Sequence, residues 1–384
     1  MMTKNSEQNN KTCYIVSLKY APGLWKEFTL LGENLRKHGF AVKYLLSKRY
    51  KNLKEDHSDM IFVSDSQNVK AMLIDVLKYP IGSRRICAKA FREVPPVLVC
   101  CYNPHPLNFT VFKLAKQFAP KCIRLAHLHE PARPGKSRYG WKGRMFFEIV
   151  EYAQKLTLVN STDVILHSPF ALELFEQKYK NYSGRKHYSP LLIPDNRCKT
   201  KTNRRFFSMI GRFNFAKKPD MFIETINLAA QKGEDLEFQI VTASCIDNYL
   251  KKLTPEGRSK LHLIIKKNLS DEDISTAVSD SFAVISLQPL ISQSGMMVVS
   301  FMNAAPIIAR SIPGFAQFVK HQANGYLLED NFSCQDLINA MKAVRKNFDA
   351  MSENARQSYL ELFAEKNWDS YYSWLPEQLS KDSL

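Results

Sequence analysis

At 384 residues, with 45 % apolar content and 24 phenylalanines, the chain is long enough to build two packed cores. Its net charge of +17 is lopsided. Residues 1–195 hold 31 Lys and Arg against 16 Asp and Glu, a net +15, while the rest holds 23 against 21, a net +2. A basic first half asks for an anionic partner: a membrane surface, a phosphorylated acceptor or nucleic acid. No apolar run approaches the roughly 20 residues that span a bilayer, and the opening MMTKNSEQNN lacks the apolar stretch of a secretory signal. Eight scattered cysteines without a CxxC pair suit buried thiols in a reducing compartment. The expectation is a cytoplasmic chain, at most peripheral on the inner face of the cell membrane.

Apolar strands alternate with amphipathic helices, the grammar of a parallel sheet covered on both faces. A strand over 13–18 runs into a loop holding Pro22 and Gly23. A helix follows with Phe28, Leu31 and Leu35 on one face, and Gly39 ends it. Further strands are expected at 40–46, 60–64, 97–102, 122–128, 163–167 and 190–193. The segment 133–143, rich in proline, glycine and basic residues, reads as a long mobile loop. The polar, basic stretch 195–203 reads as a linker, which divides the chain into domains 1–197 and 198–384.

After the linker the pattern restarts. Strand 205–210 is followed by Gly211 and a helix from about 217 to 231, then strands 236–242, LHLII and FAVISL, with helix SDEDISTAV between the last two. Two helical stretches, about 335–347 and 351–379, close the chain. The aromatic Trp368, Tyr371, Tyr372 and Trp374 mark the last one for burial, and it is expected to cross back onto the first domain. The fold class is α/β, two Rossmann-like domains with parallel sheets facing across a cleft.

Open parallel sheets bind ligands beyond the carboxyl ends of their strands, where helix N-termini offer free amides and partial positive charge. Three places in the second half fit. Gly211-Arg212 lies just ahead of Lys217-Lys218, pairing a guanidinium fork with a point charge for a diphosphate. Each such charge-assisted bond contributes roughly 1.5–3 kcal/mol. Gln293-Ser294-Gly295-Met296-Met297 opens the helix that reaches Met302, with Ser294 as its cap and Gly295 allowing close approach of a ligand. Pro306 to Arg310, Ile312-Pro313-Gly314 and Asn324 to Leu327 give a strand, a turn, a helix and a strand.

Taken in order, GRFNFAKKPDMFIE, LSDEDI, SLQPLISQSG, APIIARSIPG and NGYLLE resemble the nucleotide-sugar half of GT-B glycosyltransferases of the family 4 type, over roughly 205–330. The resemblance implies a metal-independent, retaining hexosyltransferase with a UDP- or GDP-linked donor as substrate and no cofactor. It places the donor diphosphate on Arg212 and Lys217, the nucleobase near Asn268 and Leu269, and the sugar with its phosphate near Gln293, Ser294 and Gly295. The chain departs from the family in lacking the usual pair of glutamates eight residues apart: no glutamate occurs between Glu272 and Glu329. Lys218 and Asn303-Ala304-Ala305 stand where glycine is common, and Gln317 where glutamate is.

In the first half, His127 and His129 share a strand face, an i, i+2 spacing that raises metal binding. No further ligand is evident nearby, so no metal is expected. By resemblance His129 is a cleft histidine that meets the donor sugar. Asn103 and His105, after a strand, are placed on the acceptor side with Pro22 and Gly23. Asp271-Glu272-Asp273 looks like a DxD metal motif, but Ser270 followed by Asp273 is better read as helix capping. Neither GxGxxG nor a P-loop occurs.

The chemistry then needs positive groups at the leaving diphosphate, which stabilise the charge that develops there. The acceptor is expected to be a glycan or a lipid-pyrophosphate-linked one, in bacterial surface polysaccharide (capsule or O-antigen) synthesis. Nucleic acid is not expected, since no recognition motif accompanies the charge. The alternative is a catalytically degenerate GT-B subunit that binds another enzyme.

Overall fold

Among the described residues of the computed structural model, thirteen strands, all paired in parallel, form two separate sheets. The structure describes residues 11–53, 56–66, 69–78, 81–102, 104–132, 141–198, 203–213 and 217–381. The chain divides into two units: residues 1–167, 171–189 and 368–384 form one, residues 168–170 and 190–367 the other. The switch near 189–190 precedes the polar stretch that marks the linker in sequence. The residues between belong with the second unit, where Ile193 donates its amide to the Phe363 carbonyl at 3.0 Å and accepts from the Tyr359 hydroxyl at 2.9 Å.

The first sheet contains β1 (Thr12–Ser17), β2 (Ala41–Ser47), β3 (Met60–Ser64), β4 (Pro96–Tyr102), β5 (Ile123–Leu128), β6 (Asp163–Leu166) and β7 (Arg185–Tyr188), in the order 3-2-1-4-5-6-7. Every residue of β1, β5 and β6 is buried, as helices on both faces of a parallel sheet require. That burial explains their mainly apolar sequences, with Arg124 and His127 of β5 and Asp163 of β6 as buried exceptions. The strand expected at 190–193 is instead β7, five residues earlier. As an edge strand with exposed Arg185 and Lys186 it carries none of the apolar signal of the inner strands.

The helix Trp25–Lys37 buries Phe28, Leu31 and Leu35 as its spacing predicts, and Gly39 follows it with φ of +85°. Burial also takes in Glu27 and Asn34 on the same helix. Part of the expected loop is helical, since Trp141–Val159 is a helix; residues 133–140 lie outside the described residues. Five cysteines are buried and all eight are free, and burial pushes the Cys87 and Cys122 thiols up to about 12.

The second sheet contains β8 (Phe206–Ile210), β9 (Glu237–Thr242), β10 (Leu261–Ile265), β11 (Ser281–Ser286), β12 (Ile307–Arg310) and β13 (Gly325–Leu328), in the order 10-9-8-11-12-13. In both sheets the order reverses once, beside β1 in the first and beside β8 in the second. Those switch points are where ligands bind in open α/β sheets. Among the described residues, no helix is long and apolar enough to cross a membrane.

The C-terminal helix expected over 351–379 is broken. Phe348–Ser358 runs into a π turn, Tyr359–Phe363, and Ala364 is extended. Trp368–Tyr372 and Trp374–Lys381 then follow as short helices of the first unit, with Trp368 and Tyr372 buried.

Gly314 is the tightest joint near the loop after β11. A Cβ there would lie 1.8 Å from the Ile291 carbonyl oxygen, a backbone atom with no rotamer to escape to. Gly314→Ala is therefore expected to lower the stability of the second unit by roughly 2 kcal/mol, seen as a lower denaturant midpoint. An unchanged midpoint would show that the loop yields freely.

Candidate functional site

The carboxyl end of β8 is built around Gly211. Its φ of +101° is a conformation that glycine alone adopts at little cost. A Cβ at this position would stand 3.0 Å from the ammonium nitrogen of Lys217. The bare backbone lets Lys217 fold over the strand end and donate to the Ile210 carbonyl at 2.8 Å. Burial pulls the Lys217 amine down to about 8, because a desolvated ammonium is disfavoured. Arg212 is exposed and makes no ion pair among the described residues. The loop is pinned from below by buried Phe213, whose amide donates to the Ser244 hydroxyl at 3.1 Å. Residues 214–216 lie outside the described residues.

The helix Pro219–Gln231 opens next to this turn, and its cap, Lys218, has φ of 55°. That left-handed backbone explains why glycine is common at the position, and here a lysine bears the steric cost. Ala304 shares it, with φ of 54°. Asn303 uses its side-chain oxygen to accept from Ser275, Ser279 and the Cys198 amide.

Asn268 is exposed after β10, while Leu269 packs partly against Ile210, Val241 and Ala277. Ser270 and Asp273 form the expected capping box of the helix Asp271–Ser279. After β11, Ser294 caps the helix Gly295–Met302 and accepts from the Met297 amide at 3.3 Å. Met297 buries its side chain in the core and its amide is engaged by the cap. The amides of Gly295 and Met296 remain as the first two of the helix, which have no intrahelical acceptor. A Cβ on Gly295 would meet only Leu191 at an ordinary 3.5 Å, so packing does not dictate glycine there.

Gln317, at the position where glutamate is common, is a strut. It accepts from the Phe170 amide at 3.1 Å and donates to the Ser292 carbonyl at 2.9 Å. Buried Ser168 donates to the same carbonyl at 3.0 Å. A glutamate could not donate, so glutamine suits this dual role. Sequence reasoning missed Ser168 and Ser292, which carry no signal beyond being polar.

In the first unit, Pro22 and Gly23 are exposed in a short 3-10 turn ahead of the helix Trp25–Lys37. Asn103 lies outside the described residues. His105 is buried; its Nδ1 accepts from the Leu107 amide at 3.1 Å, and its Nε2 lies 3.0 Å from the Ser66 hydroxyl. These contacts make it part of the core.

His127 and His129 do not stand alone. Glu27 reaches them from its helix and His167 joins from the end of β6, four potential ligands within 4.8 Å of one another. One carboxylate oxygen of Glu27 lies 3.2 Å from His127 Nδ1 and 3.5 Å from His167 Nε2; the other lies 3.2 Å from His129 Nε2. Burial pushes the Glu27 carboxyl up to about 7 against the pull of His129, and lowers His127 to about 3. The sequence reading found no further ligand for the histidine pair. Glu27 is a hundred residues away, and His167 is a single residue after an apolar strand.

Residues 195–358 match the glycosyl transferases group 1 family. No curated protein matches the sequence. Among solved structures, a glycosyltransferase from Rickettsia africae is similar with a TM-score of 0.71 and 14 % identity, covering 97 % of this chain and 99 % of that one. HepE of Anabaena, solved with UDP-glucose, gives 0.68 and 15 % over 96 % and 99 % of the two chains. The pneumococcal O-GlcNAc transferase GtfA, solved with UDP and GlcNAc, gives 0.70 and 11 % over 97 % and 99 %. Two parallel Rossmann-like sheets and the match over 195–358 agree with the order of motifs along the second half. Residues 195–358 thus match the glycosyl transferases group 1 family, and the chain as a whole has the two-domain GT-B fold of these solved structures.

Proposed function

We propose that this chain transfers a hexose-type sugar from a UDP- or GDP-linked donor, with retention of configuration and without a catalytic metal. The observation that carries the reading is the Gly211 turn, where a desolvated ammonium and an exposed guanidinium border one strand end. A largely desolvated cation whose partner among the described residues is a backbone carbonyl is stabilised by an arriving anion. A diphosphate brings that charge, and as the sugar departs the leaving oxygen gains more, which Lys217 and Arg212 stabilise. The orphan amides of Gly295 and Met296 supply further donors for phosphate or sugar oxygens. Asn268 and Leu269 flank the base in this reading. HepE, solved with UDP-glucose, makes UDP-glucose the first donor to try.

The acceptor half of the reading rests on charge. The net +15 of residues 1–195 suits a lipid-pyrophosphate-linked acceptor at an anionic membrane face, since each basic residue there contributes on the order of 1 kcal/mol. Surface polysaccharide assembly in bacteria uses acceptors of that chemistry. Salt-sensitive flotation of the chain with vesicles of anionic phospholipid is the expected behaviour; indifference to lipid charge would remove this part.

Two variants test the donor site. Arg212→Ala should cut turnover at least about tenfold, the loss of one charge-assisted contact, while the far-ultraviolet spectrum and melting midpoint stay as they were. Equal kinetics in a folded variant would take Arg212 out of the site. Lys217→Met should leave the unliganded midpoint unchanged or higher, because it removes a buried charge, yet abolish the thermal shift produced by UDP or GDP.

The pH dependence has a definite sign. Lys217 titrates near 8 in the unliganded fold, so the cation is present below that value and lost above it. Nucleotide affinity is expected to fall as pH rises through about 8, and a flat profile from 7 to 9.5 would contradict the role given to Lys217.

A further inference from the structure

The geometry points to a divalent transition-metal site of the zinc class in the first unit, with Glu27, His127, His129 and His167 as its ligands. The spacing argues first. Four ligands at about 2.0–2.1 Å around a tetrahedral ion stand about 3.3 Å from one another. One Glu27 oxygen lies 3.2 and 3.5 Å from His127 and His167, and the other 3.2 Å from His129. His127 Nδ1 lies 3.0 Å from His167 Nε2, and all four ligand atoms fall within 4.8 Å of one another, a spread that small ring tilts close. Three imidazoles with one carboxylate suit zinc, copper, iron or nickel and not calcium or magnesium, which take oxygen.

The outer contacts argue second. His167 Nδ1 lies 3.0 Å from the Ser189 carbonyl, which can only accept, so Nδ1 carries the proton and Nε2 presents a lone pair to the cluster. His127 Nε2 meets the Tyr372 hydroxyl at 3.1 Å, so its Nδ1 is the nitrogen turned inward. A second ring nitrogen held by a carbonyl or hydroxyl is how metal-binding histidines are oriented. Tyr102 stacks on His127 at 4.1 Å and completes an apolar wall.

Proton counting argues third. The His167 lone pair, the inward nitrogen of His127 and a Glu27 oxygen face one another within 3.5 Å. Neither Glu27 oxygen receives a hydrogen bond, although the group is buried. With His127 Nδ1 donating to His167 Nε2, ionised Glu27 is left without a donor, whereas a dication satisfies the carboxylate and every imidazole lone pair at once. Neutral imidazoles and one carboxylate leave the loaded site with a single positive charge. The rings of His129 and His167 are nearly parallel, 18° apart. Binding tilts one of them about χ2, a soft torsion.

The ion ties the ends of β5 and β6 to the helix Trp25–Lys37 and positions His129; it takes no part in sugar transfer. The site stands or falls separately from the donor reading. The test uses the full chain made without a histidine tag. Elemental analysis after dialysis against zinc is expected to find about one zinc per chain. Cobalt(II) should give the intense visible bands of a tetrahedral nitrogen and oxygen site. Chelator should then lower the melting midpoint of the wild type by on the order of 5 °C. His167→Ala and Glu27→Gln should each weaken binding at least about tenfold. Tyr372→Phe, which keeps the packing, should give a smaller loss. Three results would overturn the site: no metal above background with an unmoved midpoint, thiolate-to-cobalt charge-transfer bands that put the ion on cysteines, or equal binding in the His167 and Glu27 variants.

Discussion

The ammonium of Lys217 rests on the carbonyl of Ile210, and the donor chemistry proposed for the second unit depends on that contact. It exists because Gly211 has no side chain and turns through positive φ, so a long cationic side chain can lie over the end of β8. Burial makes the charge costly, and that cost gives it affinity for an anion. Phe213 beneath the turn fixes the loop, so the charge is held in place before any ligand arrives.

Sheet order determines where such a turn can act. In each unit the strands are wound outwards from a central pair, β1 with β4 and β8 with β11. Loops at their carboxyl ends are splayed apart at these points. The second unit places a lysine, an arginine and a capped helix N-terminus beyond its strand ends. The first gathers His127 in β5, His129 and His167 just past β5 and β6, and the Glu27 carboxylate of the helix Trp25–Lys37. On the proposed reading, one architecture presents phosphate chemistry in one unit and imidazole chemistry in the other.

Much of this was legible in the sequence, for identifiable reasons. Inner strands of a parallel sheet are buried on both faces, so VLVCCY and FAVISL stand out as apolar runs. Gly39 and Gly233 stop their helices with positive φ, and Ser270 caps its own. Edge strand β7 escaped because an edge has no apolar requirement. The final helix looked continuous because periodicity does not register a π turn followed by an extended Ala364. Glu27 was hidden on the apolar face of a helix otherwise read from Phe28, Leu31 and Leu35. His167 could have been found by register: His127 pairs with Ile165 and Leu128 with Leu166, so the next positions are His129 and His167. Gln317 was legible only as a departure from the family, and its dual role as donor and acceptor shows why glutamine stands there.

The most direct test of sugar transfer as the chain's activity is release of nucleoside diphosphate from a panel of UDP- and GDP-hexoses by the purified full chain. The account predicts release from at least one donor, with the product sugar keeping its anomeric configuration by nuclear magnetic resonance. Saturable nucleotide binding without release from any donor, with and without lipid-linked acceptors, would contradict it and leave a binding subunit.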